Sequence, residues 1–153
     1  MGIFDTFEIN ASGLTAERFR MDIISQNVAN ANTTRTNNGD PYVRKVVTFE
    51  EKREPHPSFN SILASQQDKY NPSNFAGVKV GGVYSDTHSQ MKMVYDPSHP
   101  DADENGYVTY PNVNIITEMT NLIDSSRAYE ANATAFTTSK NIAQQGLTIG
   151  QGG

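Results

Sequence analysis

Cysteine and tryptophan are both absent from these 153 residues, and charged residues reach only 19%. Without cysteine there is no disulfide framework, no thiolate nucleophile, no zinc–thiolate site and no iron–sulfur cluster. The net charge is −5 and no Lys/Arg run occurs, which argues against a sequence-independent grip on nucleic acid, since that grip needs cations to neutralise phosphates. No stretch approaches about 18 consecutive apolar residues, so no membrane insertion is expected. Met1-Gly2-Ile3-Phe4-Asp5 lacks a basic region followed by an apolar one, so no cleavable signal peptide is expected. Met1-Gly2 with Thr6 fits a myristoylation pattern on two positions only, a match that chance supplies often.

Hydrophobic residues are also scarce, at 36% against about 45–50% in typical globular chains. The deficit is filled by small uncharged polar residues, with 15 Asn and 14 Thr. Such a chain has little apolar surface for a self-sufficient core, and is expected to complete its burial in an assembly.

The two ends read alike. From Phe4 to Ala31 there is no proline, and Phe7, Leu14, Met21 and Val28 fall seven apart, with Ile3, Ile24 and Ala31 on the neighbouring stripe. A seven-residue repeat keeps one seam of a helix facing a partner as the pair supercoils. Gly13 inside this run predicts a bend or a frayed start, and Asn32 to Pro41 ends it. Near the other terminus Ile115, Leu122, Tyr129, Phe136 and Ala143 repeat the spacing, with Met119, Ala133 and Leu147 widening the row into an apolar face. Asn114 suits an N-cap, Glu118 suits the positive end of the helix dipole, and Gly146 and Gly150 loosen the far end.

All seven prolines lie in the middle. Tyr42–Phe49, Val78–Val80, Met91–Tyr95 and Tyr107–Tyr110 read as short strands, and Gly81-Gly82 as a turn or bulge. Residues 50–76 show no clean period and read as an irregular loop. The expected class is α+β: long N- and C-terminal helices pairing as a coiled-coil-like core (1–36 and 113–150) around a small β-rich insertion (37–112).

The segment most suggestive of chemistry is Asp101-Ala-Asp103-Glu-Asn105-Gly106, which fits the opening of a calcium loop. Its twelfth position is Asn112 rather than Glu, and prolines flank it in place of helices. An acidic turn closed by Asn-Gly accounts for it more simply. His56, His88 and His99 have no partner three to five residues away, so no helical metal pair exists. No nucleophile elbow or phosphate loop accompanies them. No enzyme activity, metal or cofactor is expected.

Polar residues crowd the helix seams instead. Asn27, Asn30 and Asn32 cluster at the end of the first helix, and Arg127, Tyr129, Glu130 and Asn132 midway along the second. Asn-rich helix ends can fray into turns, or seam amides can fix helix register. Both accounts stand at this point.

Ser25 to Thr33 (SQNVANANT) resembles the N-terminal signature of the axial proteins of the bacterial flagellum, an N-x-A-N-x-x-T pattern falling on Asn27, Ala29, Asn30 and Thr33. Ser126-Arg-Ala-Tyr-Glu-Ala-Asn132 is similar to the R-x-Y-E-A-N motif of the same family. Val94–Pro100, Ala102-Asp103, Gly106–Val108 and Pro111–Asn114 are similar to its proximal-rod members. The resemblance covers roughly residues 1–50 and 77–150; Asp86–Gln90 departs from it by lacking an expected proline.

The resemblance implies a structural subunit of the periplasmic rod in the basal body, exported through the flagellar type III apparatus without a cleavable signal. Its terminal helices would form part of an axial tube that transmits torque and encloses the export channel. Partners would be other copies, the other proximal-rod and distal-rod proteins and the export-gate adaptor subunit. The assembly residues would be Phe7, Leu14, Met21, Ile24, Asn27, Val28, Asn30, Ile115, Met119, Leu122, Arg127, Tyr129, Glu130, Asn132 and Phe136. Asp96, Pro97, His99, Pro100, Gly106 and Tyr107 would form an inter-subunit loop. A different axial subunit is the alternative, and a small calcium-binding interaction module a more distant one.

Overall fold

Heptad spacing at the two ends is realised as two long helices with a small β insertion between them. The computed structural model describes residues 3–52 and 77–151. Helix α1 runs Ile3–Ala29 and helix α2 Ile115–Gln151. Between them lie β1 (Lys45–Glu51), β2 (Val78–Ser85), β3 (Lys92–Tyr95) and β4 (Tyr107–Tyr110). Strands β1 and β2 pair with each other, and β3 pairs with β4 antiparallel, Val94 opposite Val108 and Tyr95 opposite Tyr107. The loop expected at 50–76 lies, from residue 53 on, outside the described residues, while Glu50 and Glu51 belong to β1.

Helix α1 does not break at Gly13. A Cβ there would sit 3.1 Å from the Asn132 amide atoms, so glycine leaves room for that side chain, at about 1 kcal/mol relative to alanine. Asn114 caps α2 as expected, its Oδ1 accepting from the Ile116 and Thr117 amides at 3.0 and 3.4 Å. Gly146 and Gly150 do not loosen the far end, because α2 continues to Gln151; once a helix is nucleated each added residue gains a backbone bond. Along α2 the hydroxyls of Thr120, Thr134, Thr137, Thr138 and Ser139 all donate to the carbonyl four residues back, at 2.9–3.0 Å.

Gly81-Gly82 is not a turn. Both glycines lie inside β2, and the ring of Tyr84 lies 3.0 Å from where a Cβ on Gly82 would be, so the missing side chain accommodates the ring. Strand β1 also starts later than its β-branched texture suggests. The Tyr42 and Arg44 amides go to the Thr33 carbonyl and to Asn112 Oδ1 rather than into a ladder.

The chain divides into two compact units. One takes Met1–Glu17, Phe49–Val80 and Arg127–Gly153; the other takes Arg18–Thr48 and Gly81–Ser126. In the first, the rings of Phe7 and Phe136 meet edge-on at 5.1 Å, and Ala16 is buried. There Ser12 Oγ accepts from the Val78 amide at 3.0 Å. In the second, the buried apolar set is Ile23, Ile24, Ala31, Tyr42 and Val108. Both cores are small, as the composition requires.

Candidate functional site

The most completely buried side chains in the second unit are not all apolar. Asn27 follows Ile23 and Ile24 on the inward face of α1 and is 1% exposed. Its Nδ2 donates to the Lys45 carbonyl at 2.8 Å and to Glu118 Oε2 at 2.9 Å. Its Oδ1 accepts from the Tyr42 hydroxyl and the Lys45 amide, both at 2.9 Å. Both donors and both acceptor positions of the amide are thus filled. Of the two accounts of the seam asparagines, register-fixing describes Asn27, because a fully bonded buried amide admits one alignment of α1 against β1 and α2.

Glu118 lies in the first turn of α2, as expected for the positive end of the helix dipole, and is 0% exposed. Its Oε1 accepts from Arg44 Nε at 2.8 Å and pairs with Arg44 Nη2 at 2.7 Å, so one carboxylate oxygen is held by two guanidinium nitrogens while the other serves Asn27. The same guanidinium lies 3.5 Å from Asp86. Asn112 accepts from the Arg44 amide and donates to the Asp86 carbonyl. Burial, and secondarily the Glu118 charge, push the Tyr42 phenol above its ordinary value. The Ser89 hydroxyl, then its amide, hold the Asp86 carboxyl below the usual range. A buried carboxylate, a guanidinium, an amide and a phenol therefore form one bonded cluster joining α1, β1 and the start of α2.

Asn30 and Thr33 serve the chain reversal after α1. Asn30 Nδ2 donates to the Gln26 carbonyl at 2.9 Å and its Oδ1 accepts from Thr33 Oγ1 at 3.1 Å. Met21 and Val28 are half-buried and Ile24 is buried. In the first unit Leu14, Tyr129, Asn132 and Phe136 are half-buried, and Arg127 and Glu130 are exposed.

Within the chain, the seam of α2 differs from the expected one. Ile115 and Met119 are 43% and 55% exposed. The row inside α2 that accompanies Leu122, Tyr129 and Phe136 is Glu118, Ser125 and Asn132, of which Glu118 meets Asn27 and Arg44, and Asn132 meets Gly13. Ser125 is 1% exposed and its Oγ has no partner among the described residues. Ser125→Ala is expected to leave stability unchanged or raise it by about 1 kcal/mol, as removal of an unpaired buried hydroxyl should; chemical denaturation checks this.

The acidic loop is organised by its own donors. Asp103 Oδ1 accepts from the Asn105 and Tyr107 amides, both at 2.8 Å. Asp101 Oδ2 accepts from Thr34 Oγ1 at 2.8 Å. His99 Nδ1 accepts from the Asp101 amide at 3.1 Å. The Ser98 hydroxyl, then its amide, hold Asp96 below the usual carboxylate range. Gly106 is buried with φ +81°, and a Cβ there would meet the Tyr95 ring at 2.9 Å and Pro97 at 3.2 Å. Pro97 and Pro100 are exposed. Tyr107, 42% exposed, packs edge-on against Tyr95 at 5.3 Å. Among the described residues no three His, Cys, Asp or Glu side chains are grouped to hold a metal ion, and no helix is long and apolar enough to cross a membrane.

Several large apolar side chains of α2 are exposed. On α2, Ile116 is 77% exposed and Ile123 53%, in line with Met119; further along, Ile142, Leu147 and Ile149 are 58%, 67% and 80% exposed. The sequence reading missed Tyr42, Arg44, Asp86 and Asn112 as partners of the motif. The available signal was the spacing of Glu118, Ser125 and Asn132 by seven, parallel to the apolar row.

Residues 7–35 match the family described as flagella basal body rod protein, and residues 104–149 the family described as flagellar basal body rod FlgEFG protein C-terminal. The flagellar basal-body rod protein FlgC of Bacillus subtilis is 45% identical, aligned over 99% of this chain and 100% of that protein. Its namesakes from Borreliella burgdorferi and Salmonella typhimurium are 40% and 34% identical at the same coverage.

Proposed function

Because this chain belongs to the FlgC family of flagellar basal-body rod proteins and is a structural subunit of the proximal rod, we propose that it polymerises through its two terminal helices. The rod family assembles with other flagellar rod components. On our reading the partners of this chain are further copies, the other proximal-rod and distal-rod proteins and the export-gate adaptor subunit. Delivery is through the type III export apparatus, and the assembled helices form part of a torque-transmitting tube around the export channel.

What supports self-assembly most directly is the row Ile115, Ile116, Met119 and Ile123, which stays exposed while Asn27 and Glu118 close the inward side of the same helix pair. Covering one large aliphatic side chain contributes roughly 1.5–3 kcal/mol, so this row is a substantial driving force that the lone subunit leaves unused. The half-buried seam residues Phe7, Leu14, Met21, Val28, Leu122, Tyr129 and Phe136 shape the helix pair that presents it. The loop Asp96–Tyr107, with its exposed prolines and Tyr95–Tyr107 pair, is the second contact surface.

A double variant, Ile116→Asp with Ile123→Asp, tests this. It is expected to change the unfolding midpoint of the isolated subunit little, since Ile116 is 77% and Ile123 53% exposed, and to abolish motility and incorporation into basal bodies. Motile cells whose purified basal bodies contain the variant would sink the proposal.

A further inference from the structure

Asn-Gly is the dipeptide most prone to spontaneous deamidation, because glycine places no side chain in the way of its own amide nitrogen as that nitrogen approaches the asparagine carbonyl carbon. The chain contains two such pairs, Asn38-Gly39 and Asn105-Gly106. In an unfolded chain both have the same local chemistry. The fold treats them differently.

At Asn105-Gly106 three successive amides are tied to one residue. The Asn105 and Tyr107 amides donate to Asp103 Oδ1 at 2.8 Å, and the Gly106 amide donates to the Asp103 carbonyl at 3.0 Å. The Gly106 carbonyl accepts from the Asp96 amide at 2.9 Å, which fixes the following peptide unit as well. Gly106 is buried beneath Tyr95 and Pro97. Cyclisation requires the Gly106 nitrogen to leave its acceptor and swing toward Asn105, and that displaces the whole turn.

At Asn38-Gly39 the Gly39 amide has a single bond, to the Thr36 carbonyl at 2.9 Å. Asn38 and Gly39 are both exposed, and nothing lies within 4 Å of where a Gly39 Cβ would be. Freeing the nucleophile here costs one solvent-facing hydrogen bond, an opening of the kind that surface loops make readily.

We propose that Asn38 is the deamidation site of the folded chain and that the Asp103-centred turn protects Asn105. The Gly39 nitrogen loses its proton and attacks Asn38 Cγ; the new C–N bond closes a five-membered succinimide and ammonia leaves. Water then opens either carbonyl, giving aspartate or isoaspartate at position 38. The product adds a negative charge next to Asp40, and the isoaspartate form lengthens the backbone of a loop that closes through the Thr36 amide and hydroxyl on the Asp40 carbonyl, at 2.8 and 2.9 Å. A molecule that has stayed folded for long therefore carries its mark at 38, and one that has lingered unfolded carries marks at both positions.

The test is peptide mapping by mass spectrometry of the full chain, aged at mildly alkaline pH with and without denaturant. Folded, Asn38 should convert at least about tenfold faster than Asn105; in denaturant the two rates should come together. Asn38→Gln should remove the folded-state product while leaving Asn105 slow. The proposal is overturned if Asn105 converts as fast as Asn38 in the folded chain. It is equally overturned if both stay intact there while the denatured chain converts, or if their ratio persists in denaturant.

Discussion

Asn27→Ala lowers the unfolding free energy by about 3–5 kcal/mol, measured by urea denaturation. The substitution strands four groups at once: the Lys45 amide and carbonyl, the Tyr42 hydroxyl and Glu118 Oε2. Each buried group left without a partner costs about 1–3 kcal/mol, and local relaxation recovers part of the sum. Against a typical total of about 5–15 kcal/mol, much of the stability goes. Asn27→Asp is expected to be worse at neutral pH, because it removes both donors and sets a second carboxylate where an amide stood 2.9 Å from Glu118; acidification should narrow the gap between the two variants. A loss below about 1 kcal/mol for Asn27→Ala would show that the amide is a bystander.

The second large effect lies in the Arg44–Glu118 pair. Removing Arg44 leaves the fully buried Glu118 without its cation, whereas removing Glu118 leaves Arg44, whose side chain is 23% exposed, with Asp86 at 3.5 Å. Arg44→Ala should cost about 3–5 kcal/mol and Glu118→Ala less. Replacing both residues with leucine should cost far less than the sum of the singles, since paired removal eliminates both desolvation penalties. Additive losses in that cycle would mean that the ion pair contributes nothing beyond two separate side chains.

Much of the architecture was legible in the residues. Spacing by seven located both helices, the Asn114 cap opened α2, and the motifs around Asn27 and Arg127 pointed to the rod family. What escaped was the polar half of the seam. Apolar periodicity assigns Met119 and Ile115 inward, but the helix pair turns Glu118 inward because Asn27 and Arg44 offer it partners, and those partners sit 91 and 74 residues away in the chain. No local pattern encodes a hydrogen bond across that distance. Gly81-Gly82 misled for a related reason: a glycine pair marks a turn only when the chain must bend, and here it makes space for the ring of Tyr84. The Asp101–Gly106 segment carried a cation-like spelling whose carboxylates are occupied by backbone amides and by Thr34.

The hydroxyls along α2 that fold back onto its own carbonyls give the threonine surplus a purpose. A polar side chain normally resists being covered, because the water it gives up must be replaced by some group on the incoming surface. Thr120, Thr134, Thr137, Thr138 and Ser139 already hold their protons on the carbonyls of their own helix. A second helix laid against them needs to supply no acceptor for those protons and can slide by a residue without stranding any of them. The surface is water-tolerant while bare and undemanding once covered, so one helix can suit several neighbours of different sequence.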